Sequence, residues 1–458
     1  MASNRVPLSV TQEQLWILDR LAPDSPFYNT VVMGRLDGAL DPEALNAAFR
    51  GVMARQEMLR SSVGDSGGEP FQEIHAEVGL PLERTDLTDL DPDERQAEAD
   101  RIVDAEVHRP FDLTSPPLFR LQLIRLADQE HLLLLVVHHI VCDGWSVQVM
   151  FQEVGDLYSG FVAEQPVELP PLRAQFAQYA QEQRRQLAGP RRDALVSYWK
   201  RQLAGAPGTL ELRTDRPRPA EASYRGDRHL FPVPDELYEK LKEFSRKSRA
   251  SLFMTCLAGF DVLLARASGQ YDILVGTPVG NRDRAEWGPV VGYFADTLVM
   301  RARLEDDPTF QELLNRVRTT TLQGFVHRGL PFRSLVEELT PERRPDRNPF
   351  FQVMFILQNI PPRPRQTELP GLTMTRLDDV RKTSIFDLRL DLFEFGGALH
   401  AQLEYSTDLF DRSTAERLAD QYVQLLADVC AHPDRRVSAL SLAAAGSAAG
   451  FNDDLEGA

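Results

Sequence analysis

Two adjacent histidines, His138 and His139, stand shortly before an Asp-Gly pair, Asp143 and Gly144. Imidazole can accept or donate a proton near neutral pH, so either ring could serve as acid or base at a reacting centre. An aspartate beside a glycine at a turn more often caps a helix or pairs with a cation. Gly144 leaves space where a ligand could pass close to the main chain. The segment therefore predicts a histidine centre with a supporting carboxylate.

These residues lie where a predicted strand gives way to a predicted helix. Residues 118–126 and 131–138 are predicted to form a hairpin whose turn is 127–130. Residues 145–161 carry apolar side chains at helical spacing. Successive side chains of a strand point to opposite faces. If both histidines are extended, only one of them can therefore face a given cavity.

Residues 138–146 resemble the HHxxxDG motif of the condensation domains of nonribosomal peptide synthetases. Other segments resemble further motifs of this family, and they occur in the family's order. They are residues 8–18, 55–60, 276–284, 291–298, 327–332 and 343–349. Several independent motifs in one order rarely coincide by chance, so the resemblance covers most of the chain.

The resemblance implies an α/β (α+β) fold, with two lobes like chloramphenicol acetyltransferase forming a V-shaped pseudo-dimer. The N-terminal lobe, residues 1–175, would carry the HHxxxDG motif, and residues 176–458 would form the C-terminal lobe. Prolines 166, 170 and 171 favour a boundary there. Within the second lobe, residues 206–228 are predicted to be a connector and residues 443–458 a flexible tail.

The implied activity is acyl transfer from a thioester on the phosphopantetheine arm of a peptidyl carrier protein. The acceptor would be an amine or a hydroxyl, on a small molecule or on a carrier, giving an amide or an ester. His139 is expected to face the cavity as the catalytic residue, by orienting the nucleophile, removing its proton or stabilising the intermediate. His138 is expected to be structural. No cofactor is expected to be permanently bound, and no metal.

Six further residues are expected to support the site. The resemblance implies that Asp143 pairs with Arg60, that Gly144 leaves room for the pantetheine arm, and that Asn348 lines the site from the second lobe. Trp145 is expected in the core, and Ser146 completes the motif. The Asp-Gly-Trp-Ser string resembles domains that take an L-configured donor.

Three positions depart from the family pattern. Residue 296 is Asp where Asn is usual, residue 14 is Gln where Arg is usual, and residue 328 is Arg where Gln is usual. These departures put the acceptor and carrier contacts in doubt, and not the chemistry.

Composition limits the classes of partner. The net charge of −17 over 458 residues argues against nucleic acid. No apolar run is long enough to cross a bilayer, and no signal peptide is evident. Three widely spaced cysteines, without a CxxC pair, favour reduced thiols and a cytoplasmic location. We expect a monomer.

Acidic carrier proteins would be repelled by this overall charge, so docking would need local basic patches. Two arginine groups are candidates, although solvated surface charges explain them equally well. They are Arg328, Arg333, Arg343, Arg344 and Arg347, and Arg184, Arg185, Arg191 and Arg192.

Residues 451–453 resemble the start of an adenylation domain, yet no adenylation or carrier motif follows. We expect a free-standing condensation enzyme, similar to those of enediyne antibiotic pathways, and the alternative is a condensation domain taken from a longer synthetase. Two alternatives stay open, an acyl-CoA-dependent transferase of the same superfamily and a non-catalytic module that docks carriers or partner enzymes.

Overall fold

The computed structural model describes residues 5–23, 25–339, 347–358, 366–377 and 382–442. The strands in these ranges are β1 (Arg5–Pro7), β2 (Asn29–Gly38), β3 (Ser61–Ser66), β4 (Glu69–Ile74), β5 (Leu82–Asp86), β6 (Phe119–Ala127), β7 (Glu130–His138), β8 (Gly226–Pro232), β9 (Asp272–Gly280), β10 (Ala295–Arg303), β11 (Val353–Gln358), β12 (Gln366–Leu369), β13 (Leu372–Arg376), β14 (Leu388–Phe395) and β15 (Ala398–Ser406).

The helices are α1 (Val10–Leu21), α2 (Pro42–Arg55), α3 (Pro92–His108), α4 (Gly144–Val162), α5 (Phe176–Gln186), α6 (Pro190–Gln202), α7 (Asp235–Lys247), α8 (Leu252–Ser268), α9 (Phe310–Val326), α10 (Phe332–Leu339) and α11 (Arg412–Ala431). The predicted hairpin before the histidines is β6 and β7, and the predicted helix after them is α4. Both predictions are confirmed.

The first six-stranded sheet has the order β12-β13-β2-β7-β6-β5, so β7 lies near its centre. Both faces of β7 are buried. Leu133, Leu135 and Val137 pack into a core with residues of α2 and α4, and side chains that alternate with them pack against α3. Burial on two faces explains the unbroken apolar run that precedes the histidines, because every side chain of the strand leaves water.

The second six-stranded sheet has the order β10-β9-β11-β14-β15-β8. It packs with helices α7, α8, α9 and α11 around a separate and larger core. A small third sheet, β1-β4-β3, stands beside the first. This mixed α/β arrangement agrees with the predicted fold class.

Parts of the chain after residue 175 belong to the first core. Strand β13 pairs with β2, with Leu372 opposite Gly38, so the β12–β13 hairpin extends the first sheet. Phe176 and Tyr179 of α5, together with Trp287, are also buried in the first core. The division of the chain at residue 175 stays a prediction, because the chain crosses between the two cores more than once. Residues 443–458 lie outside the described ranges.

In the described ranges, no single helix is long and apolar enough to cross a membrane. The consecutive helices α7 and α8 meet that criterion of length and composition only as a pair, bent by 106°.

Two glycines of β9 differ in the space around them and provide a test of the second core. A Cβ atom added to Gly276 would lie 2.3 Å from Cε2 of Phe351, whereas one added to Gly280 meets no atom within 4 Å. Gly276→Ala should lower the free energy of unfolding by about 1–3 kcal/mol, because the buried ring must move. Gly280→Ala is the matched control and should change it little. Urea unfolding monitored by circular dichroism measures both, and equal effects would contradict the packing described.

Candidate functional site

The two histidines sit on either side of the end of β7. His138 is the last residue of the strand, and His139 begins a short 3-10 turn, His139–Val141, that leads towards α4. The chain turns between them, so the two rings are held by different main-chain contacts.

His138 is a buried, neutral ring. Its Nδ1 accepts a hydrogen bond from the amide of Ile140 at 3.1 Å, so the proton of the neutral ring is on Nε2. Nε2 lies 3.9 Å from Oδ1 of Asp19. Burial, with the nearby His139 and Arg120, lowers the pKa of His138 to about 3. Burial and the charge of Asp112 raise the pKa of Asp19 to about 6. The expected structural role of His138 fits this environment.

His139 has the opposite tautomer. Its Nδ1 is 2.6 Å from the carbonyl oxygen of Cys142, and a carbonyl can only accept, so Nδ1 carries the proton. Nε2 is therefore the unprotonated nitrogen of the neutral ring. The ring lies edge-on to Tyr293, with centroids 4.9 Å apart, and is only partly buried. Burial raises the pKa of Tyr293, which keeps its hydroxyl protonated.

Asp143 caps α4 and joins the two halves of the site. Its Oδ1 accepts from the amide of Ser146 at 2.8 Å, and its Oδ2 accepts from the amide of Phe294 at 3.0 Å. Its own amide donates to the carbonyl of Gly292 at 3.2 Å. The carboxylate is buried, so these contacts and a cation must replace its lost hydration.

That cation is Arg282, and the predicted pairing of Asp143 with Arg60 is wrong. Nη2 of Arg282 lies 3.1 Å from Oδ1 of Asp143. Arg60 instead donates to main-chain carbonyls, those of Met53 and His75 among them. Arg60 thus holds the end of α2 to the strand region after it, and not to the carboxylate that the resemblance assigned to it.

Arg282 is itself fixed on several sides. Its Nη1 donates to the carbonyls of Trp287 and Val290 at 2.6 and 2.7 Å, and its guanidinium lies 3.9 Å above the ring of Phe294. Burial lowers its pKa, and Asp143 opposes that shift. Arg282 lies in the segment 276–284 that resembles a family motif. The sequence therefore carried a signal for it, but did not show which arginine faces Asp143.

Ser146 closes the same network. Its hydroxyl is fully buried, accepts from the amide of Gly292 at 3.0 Å and from Arg282 at 2.7 Å, and lies 2.7 Å from Oδ1 of Asp143. A Cβ atom added to Gly292 would lie 2.1 Å from the ring of Phe176. The close packing of the loop 281–294 against α5 thus depends on glycine at 292.

Gly144 and Trp145 lie on the open side of the motif. A Cβ atom added to Gly144 meets nothing within 4 Å, which agrees with the space expected there, although its use by a pantetheine arm stays a prediction. Trp145 was expected in the core, and this is wrong, because 39% of it is exposed. Its indole Nε1 donates to the carbonyl of Gly288 at 2.8 Å, so it also ties the motif to the loop 281–294.

Asn348 lies in a different part of the second lobe from the loop that supports Asp143. Its amide donates to the carbonyl of Ile385 at 3.2 Å. It lines a polar cavity of about 90 Å³ with the Arg218–Asp387 ion pair and Tyr224. All of the residues lining this cavity come after residue 175. The assignment of Asn348 to the site around His139 stays a prediction.

Asp296, one of the three departures, lines a second cavity of about 170 Å³ between α5 and the end of α9. Its Oδ1 accepts from the amides of Thr297 and Phe332 at 2.8 and 3.1 Å. Burial raises its pKa to about 7. An asparagine oxygen could accept the same two bonds, so the departure changes charge without changing this local framework.

Most of the candidate docking arginines in the described ranges are paired within the chain. Arg184 and Arg333 both pair with Glu13, Arg185 with Glu182, Arg192 with Glu338, and Arg347 with Glu211. Arg328 is 4.0 Å from Asp283. Arg343 and Arg344 lie outside the described residues. Within the described ranges, most of these cations would therefore have to exchange a carboxylate of this chain for one of a carrier.

The two six-stranded sheets and the helices around them have the fold of solved condensation domains, which is of the chloramphenicol acetyltransferase type. The family model described as "Condensation domain" matches residues 2–449, and the chain belongs to this family. In the described ranges, no group of three or more His, Cys, Asp or Glu could hold a metal ion.

Two curated relatives are much longer than this chain. A linear gramicidin synthase of Brevibacillus parabrevis is 44% identical over 439 residues, which is 95% of this chain and 8% of that protein. The phosphinothricin tripeptide synthetase PhsC of Streptomyces viridochromogenes is 38% identical over 445 residues, which is 95% of this chain and 40% of that protein. The chain therefore spans less than half the length of either relative.

Two solved structures share the fold over nearly their whole length. The X-domain from teicoplanin biosynthesis has a TM-score of 0.86 and 29% identity, covering 96% of this chain and 98% of its own. The SgcC5 protein from Streptomyces globisporus has a TM-score of 0.76 and 29% identity, covering 94% of this chain and all of its own.

The correction of the Asp143 partner can be tested by a double-mutant cycle. Arg282→Ala should lower the free energy of unfolding by about 3–5 kcal/mol, because it leaves a buried carboxylate without its cation. Adding Asp143→Asn should recover part of that loss, since no uncompensated charge remains. In an Arg60→Ala background, Asp143→Asn should show no such recovery. Denaturant unfolding of these variants measures each free energy. Recovery in the Arg60→Ala background and not in the Arg282→Ala background would support the pairing of Asp143 with Arg60 instead.

The buried His138 should make stability depend on pH. Its pKa is depressed in the folded state, so the unfolded chain binds the extra proton between about pH 6.5 and about pH 3. Its contribution is complete above that window and is lost as the pH falls, by about 1.4 kcal/mol per pH unit. The difference in unfolding free energy between the wild type and His138→Gln should shrink accordingly. Taking this difference removes groups such as Asp296, whose raised pKa acts in the opposite direction. A pH-independent difference would exclude a buried neutral His138.

Proposed function

We propose that the protein is a condensation enzyme that transfers an aminoacyl or peptidyl group from a carrier-bound thioester to an acceptor amine or hydroxyl. Members of its family form peptide bonds between carrier-bound substrates in natural-product biosynthesis. The observation that carries the proposal is the tautomer of His139. The carbonyl of Cys142 holds the proton on Nδ1, which leaves Nε2 as the basic nitrogen on a partly exposed ring.

The chemistry assigned to His139 is proton transfer during acyl exchange. The acceptor nitrogen or oxygen bonds to the thioester carbonyl carbon, and Nε2 takes the proton that the nucleophile loses. The tetrahedral intermediate then breaks its carbon–sulfur bond, and the pantetheine thiolate recovers the proton from the imidazolium. General base catalysis of this kind contributes about 10²- to 10⁴-fold, and positioning of the two substrates supplies much of the remainder.

The arrangement around Asp143 keeps this centre rigid without taking part in proton transfer. The carboxylate already accepts from two main-chain amides and from Arg282, and it caps α4. A group whose lone pairs are occupied in this way is a poor base. Gly144 leaves space on the exposed side of the turn, which suits the approach of a phosphopantetheine arm.

The product is either an amide or an ester, and the donor is L-configured, as the Asp-Gly-Trp-Ser string suggests. An alcohol is the weaker nucleophile and needs the base more than an amine does. The SgcC5 structure was solved in complex with a naphthyl ethanediol and sucrose, so that protein binds a diol. A hydroxyl acceptor therefore belongs in the first experiments.

A second candidate is a docking module without catalysis. It is favoured by the likeness to the teicoplanin X-domain, which has been solved in complex with OxyB. Retention of both histidines and of Gly144 favours catalysis instead. Preference for one of two donors distinguishes the acyl-CoA-dependent alternative. A carrier-dependent enzyme should use a carrier-loaded thioester far better than the same acyl group on coenzyme A.

The function is tested with a panel of aminoacyl carriers and with amine and alcohol acceptors, and products are followed by mass spectrometry. His139→Ala should lower turnover by about 10²- to 10⁴-fold while carrier binding survives. His108→Ala changes an exposed histidine of α3 and is the matched control. Turnover of His139→Ala at the wild-type rate would remove His139 from the mechanism. Equal use of coenzyme A and carrier donors would favour the acyl-CoA alternative.

A further inference from the structure

Helix α1 contacts the histidine turn through a fully buried glutamine. Nε2 of Gln12 donates to the carbonyl of Ile140 at 3.0 Å, and Ile140 is the residue after His139. Oε1 of Gln12 accepts from the amide of Ser9 at 2.9 Å, and the hydroxyl of Ser9 accepts from the amide of Gln12 at 3.1 Å. This reciprocal cap fixes the side chain of Gln12 at the start of the helix, so its amide is aimed at the turn.

The next residue of α1 contacts the second lobe. Glu13 is largely buried, and its Oε2 accepts from Nη1 of Arg333 at 2.8 Å, while its Oε1 pairs with Arg184 of α5. Arg333 lies in the first turn of α10, and the residue before it, Phe332, donates its amide to Asp296. Two consecutive residues of one helix therefore hold the histidine turn on one side and α10 on the other.

We propose that α1 couples the position of α10 to the geometry of His139, with Gln12 as a positioning residue and the Glu13–Arg333 ion pair as the link. The tautomer of His139 depends on its contact with the carbonyl of Cys142, which closes the same turn that Gln12 holds at Ile140. Release of the Ile140 carbonyl loosens this turn, and the ring then loses its single tautomer.

The kinetic part of the proposal rests on the proposed function, but its first test does not. The ¹⁵N signals of His139 in histidine-labelled protein, assigned by the loss of signal in His139→Gln, report the tautomer without any substrate. The wild type should show one protonated and one unprotonated ring nitrogen with well-separated shifts. In Gln12→Met, which keeps the volume but removes the amide, the two shifts should move towards each other.

Gln72→Met is the matched control. Gln72 is also fully buried, and its amide also donates to a main-chain carbonyl, that of Pro7, in the small third sheet. It should leave the His139 signals unchanged. Gln12→Leu is the second variant, because it also removes both polar atoms of the side chain and introduces no buried charge. It decides the question if Gln12→Met does not fold.

In the acyl-transfer assay, kcat of the folded Gln12 variants should fall by about 10- to 100-fold, with KM for the loaded carrier unchanged. Wild-type His139 shifts in the folded variants, or shifts that move equally in Gln72→Met, would overturn the positioning role. Altered shifts confirm it even if no acyl transfer is found with any substrate, so failure of the proposed function is distinguished from failure of this inference.

The link to the second lobe is tested with Glu13→Gln, Arg333→Gln and the double variant. Each single change should move the His139 signals in the same direction. The double variant should add little to that shift, because both changes break the same Glu13–Arg333 contact. Glu337→Gln is the control, because Glu337 pairs with the same arginine at 2.8 Å from within α10. Unmoved signals in Glu13→Gln and Arg333→Gln, or additive shifts in the double variant, would overturn the coupling.

Discussion

The site depends on one buried ion pair, between Asp143 at the start of α4 and Arg282 of the loop that follows β9. Neither charge is surrounded by water, so each has to be satisfied by fixed dipoles and by the other. The main-chain amides of Ser146 and Phe294 and the carbonyls of Trp287 and Val290 provide those dipoles. Satisfying all of these groups requires the loop 281–294 to lie against the start of α4 in one arrangement. The pair is better seen as fixing geometry than as adding stability, because its desolvation offsets much of its attraction.

The end of β7 explains how two neighbouring histidines come to have different chemistry. The chain leaves β7 between them, so the ring of His138 meets an amide and the ring of His139 meets a carbonyl. An amide can only donate and a carbonyl can only accept, so the two neutral rings have opposite tautomers. Burial then keeps His138 neutral, whereas His139 stays at the surface of the core beside Tyr293. The separation of structural and reactive roles is thus a consequence of where the strand ends.

Much of this could be predicted from the sequence, and the failures have a common cause. The hairpin β6–β7 and helix α4 follow from local apolar periodicity, and the motif order indicated the family. The partner of Asp143 could not be obtained in this way, because Arg60 and Arg282 are both in motif segments and only tertiary packing selects between them. The prediction for Trp145 was wrong because a large apolar side chain suggests burial. Its indole N–H instead donates to the carbonyl of Gly288 in the loop 281–294. The β12–β13 hairpin was not predicted, since its partner β2 lies more than 300 residues earlier in the chain.

Several arginines join elements that are distant in sequence. The chain has a net charge of −17, so acidic side chains outnumber the basic ones with which they can pair. Arg282 joins the loop after β9 to the histidine motif, Arg333 joins α10 to α1, and Arg184 joins α5 to α1. Exposed ion pairs contribute little to stability, but these are partly or fully buried and each bridges separate elements. Two of the arginines that looked like a docking surface in the sequence, Arg184 and Arg333, instead hold α5 and α10 to α1 through Glu13.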